Sequence, residues 1–379
     1  MKKNQILFVA LAAVSIIFSA CKGKSKAESQ KTVRINFQRG SLCAAPVHVA
    51  WKLGIFEDEL SKIGQKAEFV EVVEGGATLG EMIASGKVDA GYGLYATQLQ
   101  PMENGLPIVY TSGIHVGCTK YYVRADSGIK TVADLRGKTI GVPGLADSSV
   151  TNLKRKLADV GIGVTAADNE VEFVFYPAAE LAIALQKGAV DVIGAHDPVA
   201  AKAEQAYGFR KILDTGTDEK FRSQYCCMEF VTQKLIKENP EGAAAFTRAL
   251  QKASAFVEAE PKEAARLQIE NGLVSGELEF NAALLDALNF IPSRTLGRKT
   301  FEDGARELLK IGFLKPSTDI ENFIKKGYQE LPGVPEGYTY NPETKTWSEF
   351  SQVPEFSESE GGAVNKNCQI ISVGERRYE

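Results

Sequence analysis

The segment TLGEMIASGKVDAG, residues 78–91, carries a helix-forming run that ends in glycine and leads into an apolar run containing an aspartate. Further along the chain, ELAIALQKGAVDVI at 180–193 repeats this pattern, with leucine, glycine, valine and aspartate at matching positions. A glycine at such a place can adopt the left-handed conformation that ends a helix, so a strand is expected shortly afterwards. The two segments predict two α/β lobes of similar plan. A chance likeness between two helix-to-strand junctions is the alternative.

Strand-like and helix-like runs alternate on both sides of these segments. The strand-like runs, rich in β-branched and aromatic residues, are 33–37, 68–73, 88–93, 107–114, 138–144, 170–176 and 190–195. Helical patterns such as 150–161 separate them, and this order predicts an α/β protein with largely parallel strands. From Asn239 to Lys326 the pattern is mostly helical. One buried stripe is predicted there at Ala243, Phe246, Leu250, Ala253 and Val257.

Residues 1–20 have the pattern of a signal peptide. Two lysines precede an apolar run from Ile6 to Ala20, which is too short to span a bilayer comfortably. The sequence Phe18-Ser19-Ala20-Cys21 resembles the lipobox of bacterial lipoproteins, although phenylalanine stands where leucine is preferred. The resemblance implies that Cys21 is the lipid-bearing first residue of the mature chain. Ordinary secretion without a lipid is the alternative.

The composition of the remaining chain is that of an exported globular protein. The net charge of -4 offers no basic excess for nucleic acid, and 44% hydrophobic residues are enough for a core. Residues 21–32 are polar and predict a flexible tether. Residues 332–379 are rich in proline, glycine, serine and glutamate without periodicity, and predict a poorly ordered C-terminal extension.

Four segments resemble, in order, the signatures of a known family. They are GIFEDELSKIG (54–64), EMIASGKVDAGYG (81–93), VRADSGIKTVADLRGKTIGVPG (123–144) and HDPVAAKAE (196–204). The similar proteins are the solute-binding proteins of ABC importers for nitrate, taurine and alkanesulfonates, and the thiamine-pyrimidine binding proteins share their fold. The resemblance covers roughly Val33 to Leu331.

The resemblance implies a type II periplasmic-binding-protein fold, in which two α/β lobes are joined by two crossover strands and enclose a ligand cleft. Lobe 1 is then expected at 33–115 together with 228–331, and lobe 2 at 118–225. Closure of the cleft by hinge motion is expected when a ligand bridges the lobes.

In lobe 1, the predicted ligand contacts follow strands or begin helices. Ser41, Leu42 and Cys43 come after the first strand, at the carboxyl edge where open α/β sheets bind ligands. Gly76 and Thr78 stand at another helix start, where a turn and a cap are the alternative explanation. Tyr92 is a further predicted contact, as an aromatic residue on the floor of the cleft. A plain role in the core is the alternative for it.

In lobe 2, the loop 136–150 has glycines near a helix start but lacks the G-x-G-x-x-G of dinucleotide-binding folds. Unpaired N–H groups and the helix dipole at such a start can seat an anion. Ser148 and Ser149 are therefore predicted to contact the ligand, with a plain N-cap role for Ser148 as the alternative. The resemblance also places His196 and Asp197 near the ligand, where an N-cap role for Asp197 is the alternative.

The chain has six cysteines, at positions 21, 43, 118, 226, 227 and 368. In the topology implied by the resemblance, Cys118 lies on the strand that leaves lobe 1, and Cys226 and Cys227 lie on the strand that returns. An oxidising compartment then favours a disulfide between Cys118 and one of the other two. Buried free thiols and a thiolate metal site are the alternatives, the latter because His115-x-x-Cys118 has ligand-like spacing. Cys118 is also counted among the ligand contacts, and no metal ion is expected.

The resemblance implies a lipid-anchored, extracytoplasmic, monomeric solute-binding component of an ABC importer. It would deliver a small anionic or heterocyclic solute to the transmembrane permease subunits. No nucleophile, base and orienting residue can be assembled around the three histidines, so neither enzymatic activity nor a cofactor is expected. The alternatives are a metal-dependent enzyme like the thiamine-pyrimidine synthases, a lipoprotein that binds a metal or metal complex, and a binding component that feeds a sensor.

Overall fold

A computed structural model describes residues 31–72, 78–145 and 147–353, and the backbone of 362–364 and 370–372. The expected signal peptide, Cys21, most of the tether, Gly76 and Cys368 lie outside the described residues. In the part of the chain that is described, no helix is long and apolar enough to cross a membrane.

The strands are β1 Thr32–Phe37, β2 Lys66–Glu71, β3 Ala90–Leu94, β4 Ile108–Val116, β5 Thr119–Val123, β6 Thr139–Val142, β7 Glu172–Phe175, β8 Val192–His196, β9 Arg210–Asp214, β10 Tyr225–Thr232, β11 Gly337–Asn341, β12 Thr346–Phe350, β13 Gly362–Val364 and β14 Ile370–Ser372. The helices are α1 Ala45–Lys52, α2 Ile55–Ser61, α3 Leu79–Ala84, α4 Tyr95–Glu103, α5 Ser148–Asp159, α6 Leu181–Gln186, α7 Val199–Tyr207, α8 Gln233–Glu238, α9 Pro240–Ala259, α10 Pro261–Glu270, α11 Leu278–Asp286, α12 Arg294–Lys310 and α13 Ile320–Gly327.

Two five-stranded mixed sheets share one plan. The first sheet has the order β2-β1-β3-β10-β4 and the second has the order β7-β6-β8-β5-β9. In each sheet a single strand, β10 or β5, runs antiparallel to both of its neighbours, and the other pairings are parallel. The chain crosses between the sheets from β4 to β5 and returns from β9 to β10. The α/β prediction with largely parallel strands and two crossovers is confirmed.

The two repeated segments correspond to each other in atomic detail. Gly86 and Gly188 have φ angles of 72° and 71°, the left-handed conformation that glycine adopts without a Cβ clash. After each glycine, an aspartate carboxylate accepts a backbone N–H from the neighbouring strand. Asp89 accepts from β1 at 3.1 Å and Asp191 accepts from β6 at 3.0 Å. The repeat predicted from sequence is confirmed.

The region after β10 is mostly helical, as predicted, and α9 carries the expected buried stripe. Its five predicted core positions are all 0% exposed. The helix packs against β4, α1 and α2, beside the first sheet. Residues Lys31–Glu379 form one compact unit, so the lobe boundaries expected near 115, 118, 225 and 228 stay predictions.

The expected poor order after residue 332 is wrong for 337–350. There β11 and β12 pair as an antiparallel hairpin with Tyr340 opposite Trp347. The Trp347 indole N–H donates to the carbonyl of Lys252 at 2.8 Å, and the Tyr340 ring lies 4.9 Å from Phe256. The hairpin is therefore ordered by its packing on α9, which local composition does not reveal.

Candidate functional site

A cavity of about 310 Å³ lies between the carboxyl edges of the two sheets. The first sheet lines it with residues 38–41 and Cys43 after β1, with 92–94 at the end of β3, and with Cys227 of β10. The second sheet contributes residues that follow β6, β7 and β8. Open α/β sheets bind ligands at this edge, so this cavity is the candidate site.

Three of the predicted first-sheet contacts reach the cavity, namely Ser41, Cys43 and Tyr92. Leu42 does not, because its side chain is fully buried in the core of the first sheet. Thr78 is exposed and forms a capping box with Glu81 at the start of α3, which is the structural alternative considered for it. Thr78 is not among the residues that line the cavity.

Both predicted second-sheet residues at the end of β8, His196 and Asp197, line the cavity. Asp197 forms an ion pair with Lys120 of β5 at 2.5 Å and accepts the backbone N–H of Ala201 at 3.1 Å. Burial raises the pKa of Asp197, and the Lys120 ammonium offsets only part of that rise. The N-cap of α7 is Pro198, so Asp197 instead accepts a backbone N–H from within the first turn of that helix.

The predicted anion seat at the start of α5 is occupied by the chain itself. Asp147, and not Ser148, is the N-cap, and its carboxylate accepts the N–H of Ser149 at 2.8 Å. The same carboxylate oxygen lies 2.9 Å from Nε2 of His196. Ser148 and Ser149 are buried and are not among the residues that line the cavity. Contact of the two serines with a ligand stays a prediction.

The pair formed by His196 and Asp147 is ionised at neutral pH. Burial lowers the pKa of His196, but the Asp147 carboxylate outweighs burial and raises it to about 9. Burial raises the pKa of Asp147, yet the charge and hydrogen bond of His196 bring it below its ordinary value. Each charge therefore stabilises the other, and the pair presents a fixed dipole rather than a free charge to the cavity.

Four cysteines cluster at the cavity wall: Cys43 and Cys227 line the cavity, whereas Cys226 and the predicted ligand contact Cys118 do not. We refer to Cys43, Cys118, Cys226 and Cys227 as the thiol cluster. All four are buried free thiols, so the described residues contain no disulfide. The sulfurs of Cys118 and Cys226 are 2.8 Å apart, and Nδ1 of His196 lies 3.5 Å from the Cys118 sulfur. Of the two partners expected for Cys118 from the sequence, Cys226 is therefore the one whose sulfur is in contact with it. A disulfide between these two cysteines stays a prediction.

The thiols of the cluster differ in their electrostatics. Hydrogen bonds from Cys118 and then from Cys227 lower the pKa of Cys43, and nearby His115 lowers it further. Burial raises the pKa of Cys118, and its contacts with Cys226 and Cys43 raise it more. Cys43 is thus the thiol best able to carry a negative charge at the cavity wall.

A family model described as NMT1/THI5 like matches residues 44–264 of the chain. The chain belongs to this family. A search of curated proteins finds no match for the NMT1/THI5-like chain.

Solved structures share the fold of this NMT1/THI5-like protein. The alkanesulfonate-binding protein SsuA from Xanthomonas axonopodis pv. citri, bound to MOPS, is 18% identical with a TM-score of 0.62, covering 79% of this chain and 98% of its own. The periplasmic aliphatic sulphonate binding protein SsuA from Escherichia coli is 18% identical with a TM-score of 0.62, covering 87% and 99%. The periplasmic nitrate-binding protein NrtA from Synechocystis PCC 6803 is 15% identical with a TM-score of 0.61, covering 84% and 97%.

The NMT1/THI5-like site also contains residues that were not among the predicted ligand contacts. Lys120, Asp147 and Leu181 shape or line the cavity, and His115 lies beside the thiol cluster. Of these residues, only His115 had been considered from the sequence as a metal ligand, in the His115-x-x-Cys118 spacing. For Lys120 the only signal was alternation along β5, which places Lys120 and Tyr122 on one face of the strand.

Proposed function

We propose that this protein is the extracytoplasmic, lipid-anchored solute-binding component of an ABC importer. It captures a small anionic or heterocyclic solute in the cavity between the sheets and delivers it to a membrane permease. The observation that carries the proposal is the position of the cavity. Equivalent loops of two similarly built sheets line it from opposite sides, so one solute can contact both halves.

The charges around the cavity limit the class of solute. His196 is paired with Asp147, Asp197 is paired with Lys120, and the half-exposed Arg39 contacts Glu71 outside the cavity. No lining ionic group in the described residues is left without a counter-charge. Such a site has a small net field, which suits a neutral heterocycle or a singly charged anion better than a multiply charged one.

Two crossovers connect the sheets, and this connection supports closure by hinge motion around a bound solute. We expect the protein to release the solute without changing it chemically. Fold similarity to proteins named for binding sulfonates and nitrate supports this part of the proposal.

Filling the cavity tests the proposal directly. Gly93 in β3 lines the cavity, and a Cβ added there meets no atom within 4 Å. Gly128 is a matched control, because its added Cβ also meets nothing within 4 Å and it lies in an exposed loop away from the cavity. Gly93→Phe is expected to abolish solute binding with little change in melting temperature, whereas Gly128→Phe binds as the wild type does.

The solute for this measurement is identified by mass spectrometry of small molecules released from the denatured protein. Alkanesulfonates, nitrate and pyrimidines are then titrated by calorimetry. A Gly93→Phe variant that folds and still binds the same solute with wild-type affinity contradicts the proposed site.

The anchor and the delivery step need separate tests. Cys21→Ser is expected to move the protein from the membrane fraction to the soluble extracytoplasmic fraction without changing solute affinity. Uptake of labelled solute should be lost in cells that lack the protein and restored by the wild type but not by Gly93→Phe. Uptake restored equally by both forms contradicts delivery through this cavity.

A further inference from the structure

Cys43, His115 and Cys227 form a group of metal-ligand side chains that the proposed function does not use. One ligand atom from each residue lies within 4.8 Å of the other two. All three side chains are buried, with exposures of 6%, 0% and 2%. Cys43 and Cys227 also line the cavity, so the group lies at its inner wall.

Rigid parts of the fold hold the three residues in place. Cys43 is in the 3₁₀ turn Leu42–Ala44 that links β1 to α1. His115 of β4 and Cys227 of β10 are directly opposite each other in an antiparallel pairing. Two neighbouring buried strands of the first sheet, β10 and the edge strand β4, and the turn after β1 therefore set the positions of the three side chains.

His115 has a buried nitrogen that lacks a partner. Its Nδ1 lies 3.4 Å from the carbonyl of Val116, and its ring packs 5.0 Å from that of Phe290. Its Nε2 is buried and has no hydrogen-bond partner among the described residues. A buried polar atom without a partner is costly, and a metal ion would satisfy its lone pair. Histidine ligands of metals typically donate the other ring N–H to a carbonyl or carboxylate.

We propose that Cys43, Cys227 and Nε2 of His115 bind one metal ion of the zinc class, with a fourth coordination position open to the cavity. Zinc–sulfur bonds of about 2.3 Å and zinc–nitrogen bonds of about 2.0–2.1 Å place tetrahedral ligands roughly 3.5–3.8 Å apart. The present separations are no larger than 4.8 Å, so they reach this geometry by a contraction of at most about 1 Å. Two cysteines, one histidine and an open position is a set found in zinc sites that bind substrate.

The other two cysteines of the cluster are not needed for this site. Cys118 and Cys226 contact each other through their sulfurs and do not belong to the three-residue group. The metal site is independent of the transport proposal, because it requires only the fold and the three side chains. A bound ion would place a Lewis acid at the cavity wall, where a solute with a nitrogen, oxygen or sulfur donor could complete its coordination.

The test uses the full-length chain, reduced and stripped with a chelator, and titrated with Zn²⁺ alone or Co²⁺ alone. One ion per chain is expected, and Co²⁺ should give sulfur-to-metal charge-transfer absorption together with the visible bands of a tetrahedral site. Cys43→Ser, Cys227→Ser and His115→Gln should each weaken binding by more than about 100-fold, since loss of outer partners alone costs 10–100-fold. Cys226→Ser is the matched control, and it should bind within a few-fold of the wild type.

A second measurement on the wild type avoids variants that fold poorly. Alkylation mapped by mass spectrometry should show Cys43 and Cys227 protected when Zn²⁺ is present and reactive when it is absent, with equal reactivity of Cys226 in both. Azide added to the Co²⁺ form should change the visible bands, because the fourth position is exchangeable. The proposal is overturned by the absence of stoichiometric binding, by unprotected Cys43 and Cys227, or by a Co²⁺ spectrum that is indifferent to azide.

Discussion

Arg155 joins the two halves of the molecule through a buried ion pair, and its removal should be milder than the removal of its partner. The guanidinium, on α5 beside the second sheet, is only 1% exposed. It donates to Glu307 of α12 at 2.5 Å, to Gln224 at 2.6 Å and to the hydroxyl of Tyr95 at 3.3 Å. Because α12 packs on β4 of the first sheet, the pair links elements of both sheets.

The two single substitutions leave different charges behind. Glu307→Gln leaves a buried guanidinium with only neutral partners, and breaking a buried pair in this way costs about 3–5 kcal/mol. Glu307 is 32% exposed, so solvent screening favours the lower end, about 3 kcal/mol. Arg155→Met instead leaves a carboxylate that keeps solvent and Lys220, whose ammonium is 3.4 Å away. The expected cost is about 1–2 kcal/mol, mostly from lost hydrogen bonds.

Urea denaturation of both variants and of the double variant measures these free energies of unfolding. The double variant should be about as stable as Arg155→Met alone, because the carboxylate has little left to stabilise once the guanidinium is gone. A Glu307→Gln cost equal to or below that of Arg155→Met would refute the reasoning. So would costs that add within about 0.5 kcal/mol, the behaviour of independent sites.

Three further measurements test the electrostatics and the thiols. If Cys118 and Cys226 are oxidised to a disulfide in the exported protein, reduction should expose two more thiols in the denatured chain and lower the unfolding free energy by at most about 4.7 kcal/mol; an unchanged thiol count contradicts the pairing. The pKa of His196 is raised from 6.5 to about 9 in the folded state. Its contribution to the unfolding free energy, roughly 3 kcal/mol, is therefore present below pH 6.5 and is lost as the pH rises through 9. Melting scans of His196→Gln should lack this loss. Burial raises the pKa of Glu229 well above its ordinary value of 4.5, and the hydrogen bond with Ser112 offsets little of this rise. Ionisation of Glu229 therefore favours unfolding as the pH rises above 4.5. Glu229→Gln should raise the melting temperature at pH 8 more than at pH 4.5, and an equal rise at both would argue against a raised pKa.

Local patterns in the sequence predicted the parts of the fold that local interactions decide. The repeated glycines 86 and 188 were recognisable because a left-handed helix end requires glycine, and the structure gives both that conformation. The stripe on α9 was recognisable because burial on one face imposes helical spacing. The location of the cavity at the carboxyl edges of the sheets was predictable from the order of strands and helices alone.

Other parts of the structure depend on which of several suitable residues takes a position, or on contacts between residues far apart in the chain, and the sequence alone decides neither. Asp147 and Ser148 are both good N-caps, and only the ion pair with His196 shows why the aspartate takes that position. The hairpin around Trp347 depends on a carbonyl of α9, far away in sequence. His115 and Cys227 meet through strand register, and register between distant strands is a tertiary property.

The insertion of β10 between β3 and β4 has a consequence for the order in which the chain can fold. All strands of the second sheet lie within 119–214, so that sheet can form from one continuous segment. The first sheet cannot close until residues 225–232 exist, and until then β4, whose nine residues are all buried in the finished protein, has no neighbour in its own sheet. Such long-range pairing slows folding. A nascent chain that stops before Tyr225 is therefore able to complete the second sheet only. Because a chain is synthesised from its amino terminus, the first sheet begins to be made before the second sheet but is the last of the two to reach its native structure.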